Sequence, residues 1–411
     1  MQDEKNNLKE RALRYHREPS PGKLGVTPTK PCASTDDLSL AYTPGVAYPC
    51  LEIKDNPEAS YDYTARGHTV AVITDGSAVL GLGNIGAQAS MPVMEGKCVL
   101  LKKFAGLDGV PIAIKNYRDT DDLIHIIASL EANFGLMNLE DIKAPECFTV
   151  LAALQQQLSI PVFHDDQDGT AVIVLAALEN SLALVRKSLH EIHIVINGAG
   201  AAGIACARLM VAAGIPKQHI TLVDRTGVVS AARNDLNEFK REFAREAELQ
   251  TLADALHNAD VFLGVSCPHI LNEAFIHSMN RDPIVFALAN PDPEVLPDDA
   301  KQWGAAIVAT GRSDYPNQVN NVLGFPGIFH GTLDTRAKII NTEMKLAAAR
   351  ALSAIAKKDL SPAHIVPSPF DPSVVPAVAR AVAEAAIKTG VAHKPIHNFD
   401  EYEHSLMNTF S

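Results

Sequence analysis

Positive charge is in short supply in this sequence: 36 Lys and Arg stand against 48 Asp and Glu, leaving a formal net charge of −12. That balance argues against a nucleic-acid partner, because such binders display a basic patch or stripe. Long hydrophobic runs are also missing, so no stretch is expected to span a bilayer. The charged start, MQDEKNNLKERALRYHRE, has no apolar signal-peptide core. We therefore expect a cytoplasmic protein with no membrane association. Six cysteines at positions 32, 50, 98, 147, 206 and 267 are scattered without a C-x-x-C pair or a zinc-ligand spacing, which excludes a disulfide framework and leaves reduced thiols. What remains, 47% hydrophobic and 20% charged residues over 411 positions, describes a globular chain too long for a single core.

The chain is organised around residues 192–225, IHIVINGAGAAGIACARLMVAAGIPKQHITLVDR. A short β-branched run, Ile192 to Ile196, leads into Gly198-Ala199-Gly200-Ala201-Ala202-Gly203, and a small-residue helix pattern follows. A second β-branched run then ends in Asp224 and Arg225. The spacing G-x-G-x-x-G in this setting is a dinucleotide fingerprint. Gly198 permits the tight turn, Gly200 lets backbone approach a pyrophosphate, and Gly203 lets helix and strand pack closely, with Ala201 and Ala202 opening the helix whose N-terminus faces the phosphates. Asp224 is placed to accept bonds from ribose hydroxyls and repel a 2′-phosphate, which favours NAD; Arg225 beside it could pair with such a phosphate, so NADP stays open. A second G-x-G-x-x-G, Gly81 to Gly86, follows the turn Asp75-Gly76-Ser77 and has no acid-ended second strand at the right distance, so it reads as a structural or substrate-side loop.

Strand and helix patterns alternate along the chain, which predicts an α/β fold of two domains: an N-terminal α/β substrate and metal domain over 1–165, and a C-terminal doubly wound parallel sheet of Rossmann type with trailing helices over 166–411. Helical patterns include Asp121 to Phe134, Asp235 to Glu246 and Pro372 to Gly390. Two strand-like segments end in adjacent acids, Glu140-Asp141 and Asp165-Asp166. Each pair alone reads as a loop acid or helix cap. Together, at the carboxyl ends of parallel strands, they favour a hard-cation site for Mg²⁺ or Mn²⁺, since clustered carboxylates repel one another without a cation or shared proton. Lys97 sits among Met, Val, Cys and Leu and either snorkels outward or is kept with a perturbed pKa, which burial would lower toward that of a general base. Tyr42 precedes the rigid turn Thr43-Pro44-Gly45; Asn290 ends a strand in ALANP and Asn321 lies in an irregular loop, positions that suit packing and turns as readily as substrate contact.

The motifs AYTPGVA, TDGSAVLGLGNIG, PVMEGK, LEDI, FHDDQDGTA, INGAGAAGIA, ALANP and NQVNNVLGFPG, in that order, resemble the malic enzymes, specifically the smaller bacterial-type form, over nearly the whole chain. The resemblance implies oxidative decarboxylation of malate to pyruvate and CO₂ with NAD(P) and a divalent metal. It implies Tyr42 as general acid, Lys97 as general base, Glu140, Asp141 and Asp166 as metal ligands, and Asp165 as a catalytic-dyad or supporting carboxylate. Asn290 and Asn321 would contact the substrate carboxylates, with Asn290 also near the cofactor. Two departures stand out: Ala78 occupies the place of a malate-gripping arginine of the larger eukaryotic forms, and the usual DDQHG or DDIQG reads Asp165-Asp166-Gln167-Asp168-Gly169. The chain also ends before a phosphotransacetylase-like domain could start.

The chemistry is coherent with that assignment, because oxidising a 2-hydroxy acid needs a base, a nicotinamide and a Lewis acid, and the enolate left by loss of CO₂ then needs an acid. Expected partners are a small molecule (malate, pyruvate or oxaloacetate) and a second copy of the chain in a homodimer. The alternatives are an oxaloacetate decarboxylase or malolactic relative using the same site, and a non-catalytic dinucleotide-sensing protein.

Overall fold

The computed structural model describes residues 2–79, 81–246 and 249–410, so Leu80 of the first glycine loop lies outside the described residues. Among the described residues ten short strands build two sheets: β1 (Thr69–Thr74), β2 (Asp108–Ala113), β3 (Leu136–Leu139) and β4 (Val162–His164), then β5 (Ile194–Asn197), β6 (Ile220–Asp224), β7 (Gly227–Val228), β8 (Val261–Gly264), β9 (Ile284–Ala287) and β10 (Ile307–Thr310). The first sheet has the order β2-β1-β3-β4 and the second β10-β9-β8-β5-β6-β7. Every pairing is parallel except β6 with β7. The fold is α/β, and β1, β3, β4, β5, β8, β9 and β10 are buried along their whole length, as expected of parallel strands covered on both faces.

Helix placement follows the predicted patterns with two differences. The segment expected to be one helix from Asp121 to Phe134 divides into Thr120–Ala128 and a 3₁₀ turn, Glu131–Asn133. Of the pattern from Asp235 to Glu246 only Glu238–Arg241 is α-helical. Asn237 caps that helix late by accepting from Lys240 N, and backbone bonds between Arg245 and Val229 and between Ala231 and Arg245 draw the following residues against β7. The local helix signal is overridden by that tertiary pairing.

The helix Thr170–Val185 and the preceding turn make a 21-residue segment, Asp165–Val185, that is apolar and long enough to cross a membrane by length and composition, contrary to the sequence expectation. Burial within the protein accounts for that composition: it packs against the fingerprint helix Ala201–Ala212 and the helix Thr342–Ala356. The C-terminal helices reach back to the first sheet. Phe163 of β4 meets Phe329 of the helix Phe325–Asp334 edge-on at 5.1 Å, and Arg336 bonds Asp62 at 2.6 Å. The last helix, Phe399–Phe410, is tied down by Tyr402 donating to Asp334 and by Arg380 bridging Asp400 and Glu403.

Candidate active site

Chemistry-bearing residues collect where parallel strands end. In the first sheet β3 runs into Glu140-Asp141, and its neighbour β4 runs into Asp165-Asp166, so strand order alone brings the two acid pairs side by side. Glu140, Asp141 and Asp166 present oxygens that all lie within 4.8 Å of one another. Asp141 has φ 56° and its N–H donates to Asp166 Oδ2 at 2.8 Å, which fixes the two acidic loops together. Asn138 donates to Glu140 Oε2 at 2.8 Å. Burial, then repulsion by the neighbouring acids, pushes the Glu140 carboxyl well up despite the attraction of Lys97. Three crowded carboxylate oxygens form the donor set that a hard divalent cation requires, so Mg²⁺ or Mn²⁺ fits these residues.

Lys97 enters from the helix Ala87–Ala105 and does not snorkel. Its ammonium, 8% exposed, lies 2.5 Å from Asp165 Oδ2, 3.1 Å from Glu140 Oε1 and 4.7 Å from the face of Phe325. The expected downward shift of its pKa is corrected by this geometry: burial alone lowers it, but the charges of Asp165 and Glu140 outweigh burial and raise it. Asp165, completely buried, is itself pushed up by burial and pulled back by Lys97, and its Oδ1 has no hydrogen-bond partner among the described residues. The sequence shows only the helix neighbours of Lys97. The carboxylates that decide its charge are distant in the chain.

The first glycine loop borders this cluster. Ala78 N donates to the Asp141 carbonyl at 2.9 Å, Asp75 accepts from Ser77 and from the Tyr117 hydroxyl at 2.7 Å, and Lys143 N donates to Ser77 Oγ. A Cβ on Gly81, whose φ is +70°, would collide with the Asn290 carbonyl, which puts Asn290 across from this loop. Asn321 sits beside the Asp165–Gly169 turn, its Cβ 3.2 Å from where a Gly169 Cβ would stand. Tyr42 is not brought to the cluster within this chain. It caps a short helix, the residue is 70% exposed, and its hydroxyl has no hydrogen-bond partner among the described residues. Sequence reasoning missed the Asp75–Ser77–Tyr117 network and Phe325; the only signal for the latter was its place in GFPG.

The second sheet holds the dinucleotide machinery. From β5 the chain crosses to β6 on one side and β8 lies on the other, so the switch point of the sheet falls at the end of β5, where Gly198 begins the fingerprint. Gly198 has φ +126° and a Cβ there would press on the Val265 carbonyl at 2.6 Å; a Cβ on Gly203 would collide with the Gly198 carbonyl. The helix Ala201–Ala212 starts at Gly200 and directs its N-terminus into a cleft of about 870 Å³ lined by Asn197 to Gly200, Val223 to Gly227, Lys240, Ser266 and, from the first sheet's side, Ala144, Pro145 and Phe148. Asn197 bonds Ser266 across the switch point. Asp224 differs from the expectation of a carboxylate free for ribose: Arg233 grips it with two bonds, 2.9 and 3.1 Å, Lys240 donates at 2.6 Å and Thr226 N at 2.9 Å. Burial would raise its pKa, but the bonds from Arg233 and Lys240 prevail and hold it at about 2.

A doubly wound sheet with a fingerprint at its switch point, joined to a second parallel sheet that ends in a cation-ready acid cluster, defines a dinucleotide-binding α/β protein of the metal-assisted kind. Two family profiles match it: the malic enzyme N-terminal domain over residues 21–118, and the malic enzyme NAD-binding domain over residues 167–390. The chain belongs to the malic enzyme family. It is 51% identical to an NADP-dependent malic enzyme of Haemophilus influenzae over 97% of its own length, though it spans only 55% of that relative. It is 50% identical to a bifunctional malic/malolactic enzyme of Bacillus subtilis, covering 94% of this chain and 95% of that one. The crystal structure of a malic enzyme from Pyrococcus horikoshii superposes with a TM-score of 0.93 at 44% identity, covering 98% and 96% of the two chains. Similar proteins include both NADP- and NAD-dependent malic enzymes, and the family's cofactors are NAD(P) and a divalent metal.

Proposed function

We propose that this chain oxidatively decarboxylates (S)-malate to pyruvate and CO₂ with reduction of NAD(P), Lys97 acting as base and Tyr42 as acid. The observation that carries the reading is the buried Lys97–Asp165–Glu140 cluster, set beside carboxylates suited to Mg²⁺ or Mn²⁺ and opposite a dinucleotide cleft. Residues Glu140, Asp141 and Asp166 would hold the cation, which when bound polarises the substrate hydroxyl and carbonyl oxygens and stabilises charge on the enolate. Lys97 takes the hydroxyl proton only as the free amine, and Asp165 at 2.5 Å is the group that relieves it of its own proton. Asp165 suits that role because burial already drives it toward the neutral acid. Asn290 and Asn321 supply amide donors for the substrate carboxylates. We propose two domains, 1–165 carrying Lys97, Glu140, Asp141 and Asp165 of the substrate and cation side, and 166–411 carrying the dinucleotide side, from which Asp166, Asn290 and Asn321 reach into the substrate and cation side.

Malate, Mn²⁺ and NADP or NAD should give rising absorbance at 340 nm with pyruvate formed in equal amount. No dinucleotide reduction under any of these conditions would sink the proposal. The bifunctional Bacillus relative favours one second reading, a malolactic reaction, in which lactate accumulates from malate without net dinucleotide reduction.

The N-terminal 63 residues expose Leu38, Leu40, Tyr42, Tyr48, Leu51 and Tyr63, each more than half open to solvent. Apolar surface on that scale marks an interface, and we propose a second copy of the chain as its occupant, in a homodimer. Pairing would also take Tyr42 out of water. Sedimentation should show a dimer at micromolar concentration, and Tyr42→Phe should lower turnover, about 10²- to 10⁴-fold for loss of a general acid, without dissociating it. A monomeric and fully active wild type contradicts both statements.

A further inference from the structure

A buried carboxylate stands between the two halves of the site and takes no part in its proton or cation chemistry. Glu294, in the loop that follows Asn290, is 0% exposed. Its Oε1 accepts from Ser266 N at 3.1 Å and its Oε2 from Ala289 N at 3.0 Å. Burial pushes its carboxyl up, and among the described residues only backbone N–H groups pull it back. Taking an anion out of water without a cation is expensive. The two bonds are what an interior carboxylate accomplishes here.

Those bonds bridge the carboxyl ends of two neighbouring strands. β8 and β9 pair as far as Gly264 and Ala287, and Leu288 N closes the ladder on the Gly264 carbonyl at 2.9 Å. Past that bond β8 leads to Ser266, which lines the dinucleotide cleft and is bonded by Asn197, while β9 leads through Ala289 to Asn290, whose carbonyl faces Gly81 of the first glycine loop. One carboxylate thus ties the nucleotide side to the substrate side. The tie is itself held in place: Leu271 N donates to the Glu294 carbonyl and His269 N to the Pro293 carbonyl, each at 3.2 Å. A Cβ on Gly264 would collide with Glu294 Cδ, so that glycine leaves the carboxylate its room.

We infer that Glu294 is a positioning residue for hydride transfer, its carboxylate fixing the distance between Ser266 on the cleft wall and Asn290 on the substrate side. The inference rests on the proposed malate oxidation, in which the C2–H bond of malate breaks, the hydrogen leaves with both electrons for the nicotinamide ring, and the hydroxyl proton goes to Lys97. A misplacement of about 1 Å between reacting groups costs about 10²-fold in rate. Glu294→Gln keeps the shape and one acceptor but turns an amide donor against a backbone N–H, so one of the two bonds is lost.

The test joins hydrogen exchange on the protein without ligands to single-turnover nicotinamide reduction at 340 nm, with enzyme in excess of dinucleotide and with saturating malate and Mn²⁺. In Glu294→Gln the backbone amides of 265–267 and 288–290 should exchange at least tenfold faster than in wild type, and the single-turnover rate constant should fall at least tenfold, while the Kd of the reduced dinucleotide, read by its fluorescence, changes less than threefold. Gly264→Ala, which displaces the same carboxylate and leaves its charge, should give the same changes and decides the matter where Glu294→Gln does not fold. Unchanged exchange overturns the inference, because the carboxylate then holds neither strand end. Faster exchange with a rate constant within threefold of wild type, whatever the amplitude, overturns it too, because the tie is then structural only. Wild type that reduces no dinucleotide removes the malate reaction and the hydride-transfer role with it, while the exchange result still reports whether the tie exists.

Discussion

Lys97→Ala is expected to lower malate oxidation by at least 10²-fold and as much as 10⁴-fold, the range for loss of a positioned general base, while NADPH binding stays near that of wild type. The fingerprint and most of the cleft lining belong to the second sheet, whereas Lys97 rises from a helix on the first and is not among the lining residues, so its removal should not reach the nucleotide. A structural consequence accompanies the catalytic one. Asp165 and Glu140, 0% and 4% exposed, lose their shared cation, and breaking a buried ion pair by deleting one partner typically costs about 3–5 kcal/mol. Burial already pushes both acids toward their neutral forms, so protonation limits that cost.

Lys97→Arg separates the two effects. Arginine keeps the charge beside Asp165 and above Phe325 but does not deprotonate at accessible pH, so the variant should melt close to wild type and remain inactive. Retention of more than a tenth of wild-type turnover by either variant, measured at 340 nm with saturating malate and metal, would mean that another group takes the hydroxyl proton.

The sign of the Lys97 shift shows where reading along the chain stops. Hydrophobic period and glycine spacing located β5, the fingerprint helix and β6, because these depend on near neighbours. Glu140, Asp141 and Asp166 were recognisable as a set because parallel strands deliver their carboxyl ends to one edge. The electrostatic state of Lys97 and of Asp224 depends on partners brought in by tertiary structure. Asp165 reaches Lys97 across 68 positions, and Arg233 and Lys240 fold back on Asp224 from 9 and 16 positions away. The curtailed helix at Glu238–Arg241 is part of the same effect, because the pairing of Arg245 with Val229 gathers this segment around Asp224. Exposure of Tyr42 was equally invisible, since apolar composition does not say which chain will cover it.

Asp166→Asn is expected to be the cleanest disruption of the cation site. Asp166 is the most exposed of the three acids, with 29% of its side chain open, and its Oδ2 already accepts from Asp141 N at 2.8 Å. Asparagine oriented with its oxygen toward Asp141 N preserves that bond, and with it the left-handed turn at Asp141, while one anionic donor becomes neutral. Glu140→Gln is less informative because Glu140 also pairs with Lys97 at 3.1 Å, so metal and base effects mix.

For Asp166→Asn the apparent affinity for Mn²⁺, read by calorimetry, should fall at least tenfold, about 1.4 kcal/mol, and turnover at Mn²⁺ concentrations that saturate wild type should fall with it. Stability gives an independent reading. A ligand that binds only the folded state at 100 times its Kd contributes about 2.7 kcal/mol, so wild type should melt at a higher temperature with Mn²⁺ present. The variant relieves one like-charge repulsion in the cluster. It should therefore melt no lower than wild type without metal, yet gain little from adding it. Wild-type turnover that persists in excess chelator, or a variant whose melting temperature responds to Mn²⁺ as fully as that of wild type, would show that these carboxylates hold no catalytic cation.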